Sequence, residues 1–311
     1  MKTLIKGTFL DEISHDIPHQ NWGEKEWDAD FAHMKLMGIN TVILIRCGYR
    51  KFITYPSNVL QNNEGCYTPP IDLVKLYLTL SEKYGFSFYF GLYDSGKYWV
   101  NQKYTEEVDI NKKVIDEVWQ NYGHYKAFKG WYITQEVSRK IGNIIDVYAQ
   151  LGRHCKAISS NLPTLISPYI DGEKNISQYT SQIARQEAVT LNVHQKEWDE
   201  IMDGIKGAVD IVAFQDGHLP YEALAEFFTV NKLLTDKHGL TCWTNAESFD
   251  RDMPIKFLPI KWEKLLLKLN AAQQAGINDA ITFEFSHFMS PQSAYPHAAH
   301  LYNRYMEYKN V

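Results

Sequence analysis

The chain has 311 residues, of which 45% are hydrophobic and 22% are charged, and its formal net charge is -5. This composition is typical of a globular protein with a large core and excludes a mainly disordered chain. Lysines and arginines are scattered among acidic residues, so no basic stripe is available for nucleic acid. Apolar runs such as Thr41 to Ile45 are far shorter than the roughly 20 residues that cross a bilayer, so no membrane helix is expected.

The beginning of the chain lacks the pattern of a secretory leader. Met1 to Lys6 leads at once into Gly7 to Glu12, without the run of about 7 to 15 apolar residues that a signal peptide needs. As written, the chain is expected to be cytoplasmic. A periplasmic or extracellular location follows instead if a leader was removed.

The four cysteines show no C-x-x-C spacing, and two of them fall inside strand-like apolar runs. We therefore expect reduced, buried thiols rather than a disulfide framework or a zinc site. The chain contains neither G-x-G-x-x-G nor G-x-x-x-x-G-K-[ST], so no dinucleotide or P-loop cofactor is predicted.

Eight strand-like runs are predicted along the chain. In order they are Lys6 to Leu10, Thr41 to Arg46, Ser87 to Tyr93, Gly130 to Thr134, Thr164 to Ser167, Ile211 to Phe214, Thr241 to Asn245, and Ala280 to Phe285. Most are continuously apolar, as parallel strands covered on both faces should be.

A glycine ends the helical pattern shortly before five of these strands. The glycines are Gly38, Gly85, Gly207, Gly239 and Gly276. Glycine readily takes the left-handed conformation that ends a helix, so each junction predicts a helix followed by a strand. The helices carry apolar residues at helical spacing, for example Trp27, Phe31, Met34 and Met37, which predicts that one face lies on a sheet.

Eight strands alternating with helices, with a last helix near Ala298 to Tyr308, predict a single (β/α)8 TIM barrel domain over residues 1–311. Enlarged loops are predicted after the second strand, from Gly48 to Pro70, and after the third, from Asp94 to Val108. In such a barrel both lie on the face that carries the substrate.

The residues predicted at the strand ends are acidic, amide-rich and aromatic, which favours a carbohydrate ligand. The candidates for substrate contact are Gln135, Asn245, Gln215, Asp216, Glu12, Arg46, Tyr93, Trp99, Tyr169, His218 and Glu284. Phe283 and Phe285 flank Glu284, so alternation predicts that both rings face the helices. Glu284 is then expected to point inward, as a ligand contact or as the partner of Arg46.

Two of the strand-like runs end in glutamate: Glu136 follows the fourth and Glu247 follows the seventh. This placement resembles the retaining glycosidases whose acid/base lies on strand four and whose nucleophile lies on strand seven. The resemblance implies that Glu136 donates the proton, that Glu247 is the nucleophile, and that their carboxyls lie about 5 to 5.5 Å apart. We expect Trp131 and Tyr132 to desolvate Glu136, and Asn245 to keep Glu247 ionised.

A closer resemblance covers almost the whole chain. The runs Gly7 to Asp11, Gly130 to Ile133 with Glu136, Phe214 to Gly217 and Trp243 to Phe249 are similar to those of a bacterial barrel family known only as a domain of unknown function. Its members are glycosidase-like, and some carry an α-L-fucosidase label that rests on fold analogy. The resemblance implies the barrel, the rim and a glycoside substrate.

Two alternatives remain open at the level of the sequence. The glycosidase clan places asparagine before the acid/base and tryptophan at the end of strand eight, where this chain has Gln135 and Phe285-Ser286, which favours a carbohydrate-binding barrel without turnover. The other alternative is a sugar isomerase or lyase with a divalent metal held by Glu136, Asp171, Asp216, His218 and Glu284. No metal ligand is assigned in the preferred interpretation, and the oligomeric state is not predicted.

Overall fold

The computed structural model describes residues 2–15, 17–174, 188–251 and 257–310. Eight parallel strands close into a barrel in which each strand pairs with its neighbours along the chain. The strands are β1 (Leu4–Leu10), β2 (Thr41–Leu44), β3 (Ser87–Gly91), β4 (Phe128–Ile133), β5 (Thr164–Ile166), β6 (Ile211–Gln215), β7 (Thr241–Asn245) and β8 (Asp279–Thr282). The predicted (β/α)8 barrel is confirmed.

Helices alternate with these strands and surround them. They are α1 (Glu24–Met37), α2 (Asn58–Glu64), α3 (Leu73–Tyr84), α4 (Tyr104–Tyr122), α5 (Ile144–Ile158), α6 (Leu191–Gly204), α7 (Leu224–His238), α8 (Trp262–Gln274), α9 (Phe285–Phe288) and α10 (Pro296–Asn310), with a 3-10 turn at Tyr221–Ala223. All five junction glycines have a positive φ, between 70° and 96°. The predicted alternation of helix and strand is therefore confirmed at each junction.

The hydrophobic core has two layers. The layer inside the barrel includes Phe9, Ile43, Tyr89 and Tyr132, which come from successive strands. The larger layer lies between the strands and the helices and contains the whole predicted stripe of α1, from Trp27 to Met37. Side chains therefore fill the interior, and ligands of such barrels bind at the end that carries the loops after the strands.

Both predicted enlarged loops are present and are joined to each other. Gly48–Tyr49 pairs with Phe52–Ile53 in the loop after β2 and with Tyr93–Asp94 in the loop after β3, forming a three-stranded sheet. The first loop also contains α2, while the second is shorter than predicted because α4 begins at Tyr104. This small sheet fixes one side of the barrel mouth.

The predicted extent of the eighth strand is wrong at its end. β8 stops at Thr282, and α9 begins at Phe285 because the Glu284 carboxylate accepts hydrogen bonds from the backbone N–H groups of Ser286 and His287. Phe283 therefore lies at the barrel mouth instead of facing the helices. Only the Phe285 ring faces the helical layer, where it contacts Tyr302.

Among the helices that the structure describes, none combines the length and the apolar character needed to cross a membrane. All four cysteines are free thiols; Cys47, Cys66 and Cys155 are buried, whereas Cys242 is partly exposed.

Candidate functional site

A cavity of about 130 Å³ lies at the carboxyl end of the barrel and brings both glutamates together. Most of its wall comes from the ends of the strands and from the loops that follow them. The lining residues are Phe9, Ser14, Ile45, Arg46, Glu136, Gln215, Asn245, Glu247, Phe249, Arg251, Phe257 and Phe283. The charged and amide groups of this cavity define the candidate active site.

Glu136 follows β4 and is held by a neutral partner. The Tyr132 hydroxyl, four residues earlier and inside the barrel, donates a hydrogen bond of 2.7 Å to Glu136 Oε1. Burial raises the pKa of Glu136, against the opposing effects of the Arg46 charge and of hydrogen bonds from Tyr132 and Gln215. Protonated Glu136 is thus favoured relative to an exposed glutamate.

Glu247 follows β7 and is held by a charge. Arg251 donates two hydrogen bonds to its carboxylate, from Nε to Oε2 at 2.8 Å and from Nη2 to Oε1 at 2.7 Å. Burial alone would raise the pKa of Glu247, but the charge and hydrogen bonds of Arg251 outweigh it, and the pKa is lowered. The two glutamates of the cavity are therefore shifted in opposite directions.

A buried ion pair supports the backbone at Glu247. Asp216, which follows β6, accepts a hydrogen bond of 3.1 Å from the Glu247 N–H. Lys268 on α8 donates to Asp216 at 2.7 Å and to the Glu247 carbonyl at 2.9 Å. Burial raises the pKa of Asp216 to about 6 even though Lys268 favours its charged form. Asp216 thus positions Glu247 and lies outside the cavity wall.

Gly217 lets the Glu247 carboxylate and the Arg251 guanidinium lie close to the backbone after β6. A Cβ at this position would overlap the carboxylate of Glu247 and would come within 2.5 Å of Arg251 Nε. Any larger residue here must displace the ion pair of Glu247 and Arg251.

Three of the predicted contact residues line the cavity together with the glutamates: Arg46, Gln215 and Asn245. Arg46 forms an ion pair with Asp94 at 3.1 Å, and Asn245 Nδ2 donates to Ser167 rather than to Glu247. Arg251, not Asn245 as expected, is what keeps Glu247 ionised. Within the described residues, Arg46 Nε and Asn245 Oδ1 are buried atoms without a hydrogen-bond partner.

Gln135 and Tyr93 have structural roles in a network behind the cavity. Gln135 Nε2 donates to the carbonyl of Tyr93 and to the Glu107 carboxylate, so its amide is directed away from the site. The Tyr93 hydroxyl donates to the carbonyl of Arg50. Trp99 packs against Tyr104 at the start of α4. These three residues do not line the cavity.

Four further predicted residues also lie outside this cavity. Glu12 lines a larger neighbouring cavity, and Tyr169 packs edge-to-face on His218 at 5.5 Å. Glu284 is fully buried and interacts with the His287 ring as well as capping α9. Of the two roles expected for Glu284, pairing with Arg46 is not observed, because Arg46 pairs with Asp94.

The expected environment of Glu136 is half correct. Tyr132 contacts it, whereas the indole of Trp131 lies in the outer core and donates to Ser159.

For the metal-dependent alternative, the described residues contain no group of three or more His, Cys, Asp or Glu side chains placed to hold an ion. Asp171, one of its proposed ligands, accepts a hydrogen bond from Ser138.

Sequence reasoning missed Arg251 and Phe283 in the cavity. Arg251 lies four residues after Glu247, a spacing that would signal an ion pair in a helix, but here it follows a short strand, Phe249–Asp250. Alternation along a strand that reaches Phe285 predicts that Phe283 faces the helices, but β8 ends at Thr282. The aromatic residue at the end of β8 that lines the cavity is therefore Phe283.

Comparison with solved structures finds proteins that are similar over most of this chain. A protein from Bacteroides thetaiotaomicron described as a "putative alpha-L-fucosidase" is 61% identical, with a TM-score of 0.94, and the match covers 100% of this chain and 94% of that one. The endo-1,4-beta-D-mannanase of Thermotoga petrophila has a TM-score of 0.58 at 9% identity, covering 91% of this chain and 88% of that one. The xylanase of Thermoanaerobacterium saccharolyticum has a TM-score of 0.53 at 12% identity, covering 91% and 85%.

The mannanase and the xylanase are too distant in sequence to show more than a shared fold. No curated protein matches this chain. The family model described as "Domain of unknown function (DUF4434)" matches residues 5–295. The chain belongs to the DUF4434 family.

Proposed function

We propose that this protein is a retaining glycoside hydrolase with Glu136 as the acid/base and Glu247 as the nucleophile. The observation that carries the proposal is the placement of two carboxylates, at the ends of β4 and β7, in one cavity with pKa values shifted in opposite directions. A proton donor and a nucleophile require two carboxyl groups whose pKa values are shifted in opposite directions.

The chemistry follows from these two environments. Glu136, whose pKa is raised, gives its proton to the glycosidic oxygen as the bond to the leaving group breaks. Ionised Glu247 attacks the anomeric carbon and forms a glycosyl ester, and Glu136 then takes a proton from the water that hydrolyses this ester. Arg251 keeps Glu247 ionised and donates one hydrogen bond to each of its oxygens, so the attack uses the lone pair that remains free on one of them.

The other cavity residues suit a sugar. Arg46 Nε is a donor and Asn245 Oδ1 an acceptor, and both lack partners within the described chain. Sugar hydroxyls can donate and accept, so one ligand could satisfy both atoms. The volume of about 130 Å³ is below the roughly 300–1,000 Å³ of common ligand pockets, which favours one sugar unit at this position. Because the 61% identical relative is described as a "putative alpha-L-fucosidase", α-L-fucosides are the first substrates to test.

The direct test replaces each glutamate by glutamine and measures hydrolysis of a panel of aryl glycosides. We expect kcat/KM to fall at least about a hundredfold in Glu136→Gln and in Glu247→Gln. Glu263→Gln, an exposed glutamate in the first turn of α8, is the matched control and should retain full activity.

Two results contradict the assignment. One is a wild-type enzyme whose rate neither substitution lowers by that factor. The other is a first-formed product, observed by NMR, with inverted anomeric configuration, since retention requires a glycosyl ester on Glu247.

A carbohydrate-binding barrel without turnover is the second candidate, and one observation favours it. Each oxygen of Glu247 commits one of its lone pairs to Arg251, so the ion pair lowers the nucleophilicity of the carboxylate. This candidate predicts saturable sugar binding with no hydrolysis of any glycoside in the panel. It also predicts that Glu247→Gln changes affinity alone.

A further inference from the structure

A second and larger cavity, of about 660 Å³, lies beside the candidate active site. Its walls come from the loop after β1 and from the enlarged loop after β2. Apolar side chains dominate these walls, among them Ile13, Trp22, Tyr49, Phe52, Ile53 and Ile71. The volume falls in the range of about 300–1,000 Å³ that is usual for pockets of organic ligands.

The two cavities share a wall. Ile13 lines the large cavity and the next residue, Ser14, lines the small one. Arg46 lines the small cavity, and its guanidinium lies over the ring of Tyr49, 5.4 Å from the centroid, while Tyr49 lines the large one. The two cavities are therefore neighbours, separated by the backbone at Ile13 and Ser14 and by the contact of Arg46 with Tyr49.

The shared wall is built as a rigid aromatic stack. His15 is stacked on Tyr49 with 5.2 Å between ring centroids and 15° between planes. Arg50 lies over the same Tyr49 ring at 5.0 Å. Tyr49 is held in the three-stranded sheet that joins the two loops. These contacts fix the Tyr49 side chain without a ligand.

The rim of the large cavity is unusually apolar for a surface. Phe52 is 63% exposed, Ile71 is 38% exposed, and Tyr67, 58% exposed, contacts Phe52 at 5.4 Å between ring centroids. Contiguous apolar side chains left in water mark a surface that a ligand or partner covers. Beside the two aromatic rings, Ile71, Pro69 and Pro70 offer no side-chain hydrogen bonds to sugar hydroxyls, so this rim fits an apolar ring better than a second sugar.

We propose that the large cavity binds the aglycone of the substrate and that this aglycone is an aromatic, apolar group linked to a single sugar. The inference rests on the proposed function for the position of the sugar, whereas binding of the ring can be measured without turnover. The polar residues Glu12, His15 and Arg50 in the same cavity would select rings that carry a hydroxyl or carbonyl substituent.

The test titrates the full chain with 4-methylumbelliferone, a free aromatic aglycone, by isothermal calorimetry. Wild type is compared with Phe52→Asp and Ile71→Asp at the rim. Leu233→Asp is the matched control, because Leu233 is a 62% exposed apolar residue on α7, which packs on the opposite side of the barrel near β7. Circular dichroism and thermal unfolding confirm that each variant folds.

We expect saturable binding by wild type and by Leu233→Asp, and a dissociation constant at least about tenfold higher in both rim variants, because a carboxylate beside the ring must be desolvated. Absence of saturable binding to wild type overturns the inference, and so do rim variants with unchanged affinity. Mannotriose binding that the rim substitutions abolish would show a sugar chain in place of the aglycone and would also overturn it.

Failure of the two proposals can be told apart. If wild type binds 4-methylumbelliferone at the rim but hydrolyses none of its glycosides, the hydrolase assignment fails and the apolar site remains. If it hydrolyses methyl glycosides as well as 4-methylumbelliferyl glycosides, with equal KM for both and no binding of the free ring, the aglycone site fails alone.

Discussion

The ends of β4 and β7 present the same chemical group in two opposite settings. At the end of β4, Glu136 accepts a hydrogen bond from the neutral Tyr132 hydroxyl, and burial raises its pKa. At the end of β7, Glu247 is enclosed by the cations Arg251 and Lys268, and its pKa is lowered. The comparison shows that the neighbours, and not the residue type, set the direction in which the pKa of each carboxyl is shifted.

The two ends also differ in how firmly they are held. Two ion pairs with little exposure to water surround the backbone and the carboxylate at the end of β7. The end of β4 depends on single hydrogen bonds. If this contrast is correct, substitutions near β7 should affect stability and rate more than substitutions near β4.

Lys268→Met should give the largest effect on stability. It leaves Asp216 buried and without its cation, which raises the pKa of Asp216 further and costs about 3–5 kcal/mol in the free energy of unfolding. Lys232→Met, which removes a partly exposed pair with Asp236 on α7, should change little. Urea unfolding measures the free energy of unfolding of both variants. Equal decreases in the two would contradict the role of the buried pair of Lys268 and Asp216 in stabilising the end of β7.

Gly217→Ala should disrupt the site directly. The added methyl group overlaps the Glu247 carboxylate, so we expect kcat/KM to fall about a hundredfold and stability to fall about 1–3 kcal/mol. Gly239→Ala is the control: its φ of 70° makes alanine unfavourable, but nothing lies near the new methyl. A similar loss of activity in both variants would mean that destabilisation alone explains the effect.

Arg251→Met should move the acid limb of the pH–rate profile to higher pH. Arg251 lowers the pKa of Glu247, which must be ionised to attack, so its removal raises that pKa. The ion pair of Arg251 and Glu247 also stabilises the folded state at pH values above 4.5, the ordinary pKa of glutamate. This stabilisation is lost as the pH falls through the lowered pKa of Glu247 in the folded protein. The stability deficit of the variant should therefore shrink in acid.

Arg304→Met provides the comparison for this experiment, because Arg304 pairs with Glu307 on the surface of α10. It should leave both the profile and the unfolding curve unchanged. If the acid limb does not move in Arg251→Met, the ionisation that limits the rate at low pH is not that of Glu247.

Tyr132→Phe should give the smallest effect. The Tyr132 hydroxyl favours ionised Glu136, so its removal raises the pKa of Glu136 and moves the basic limb to higher pH. Tyr84→Phe, which removes a hydroxyl bonded to Asp28 in the outer layer, should leave this limb in place. A shift to lower pH in Tyr132→Phe would contradict the role of Glu136 as the acid.

The sequence by itself determined the barrel, because its signals are local. Glycine at a left-handed helix end and a continuous apolar strand are each set within a few residues, and all five junctions have the predicted conformation. Strand order then follows from the chain, so the placement of Glu136 after β4 and of Glu247 after β7 could also be predicted.

The partners of those glutamates were decided only by the tertiary structure. Lys268 reaches Asp216 across 52 positions, and Gln135 turns away to Glu107 across 28, contacts that no local pattern encodes. Glu284 caps the short helix α9 and forms no ion pair with Arg46, which pairs with Asp94. Side-chain hydrogen bonds depend on the relative placement of distant elements, so the sequence located the two carboxylates while the folded environment determined their different pKa values.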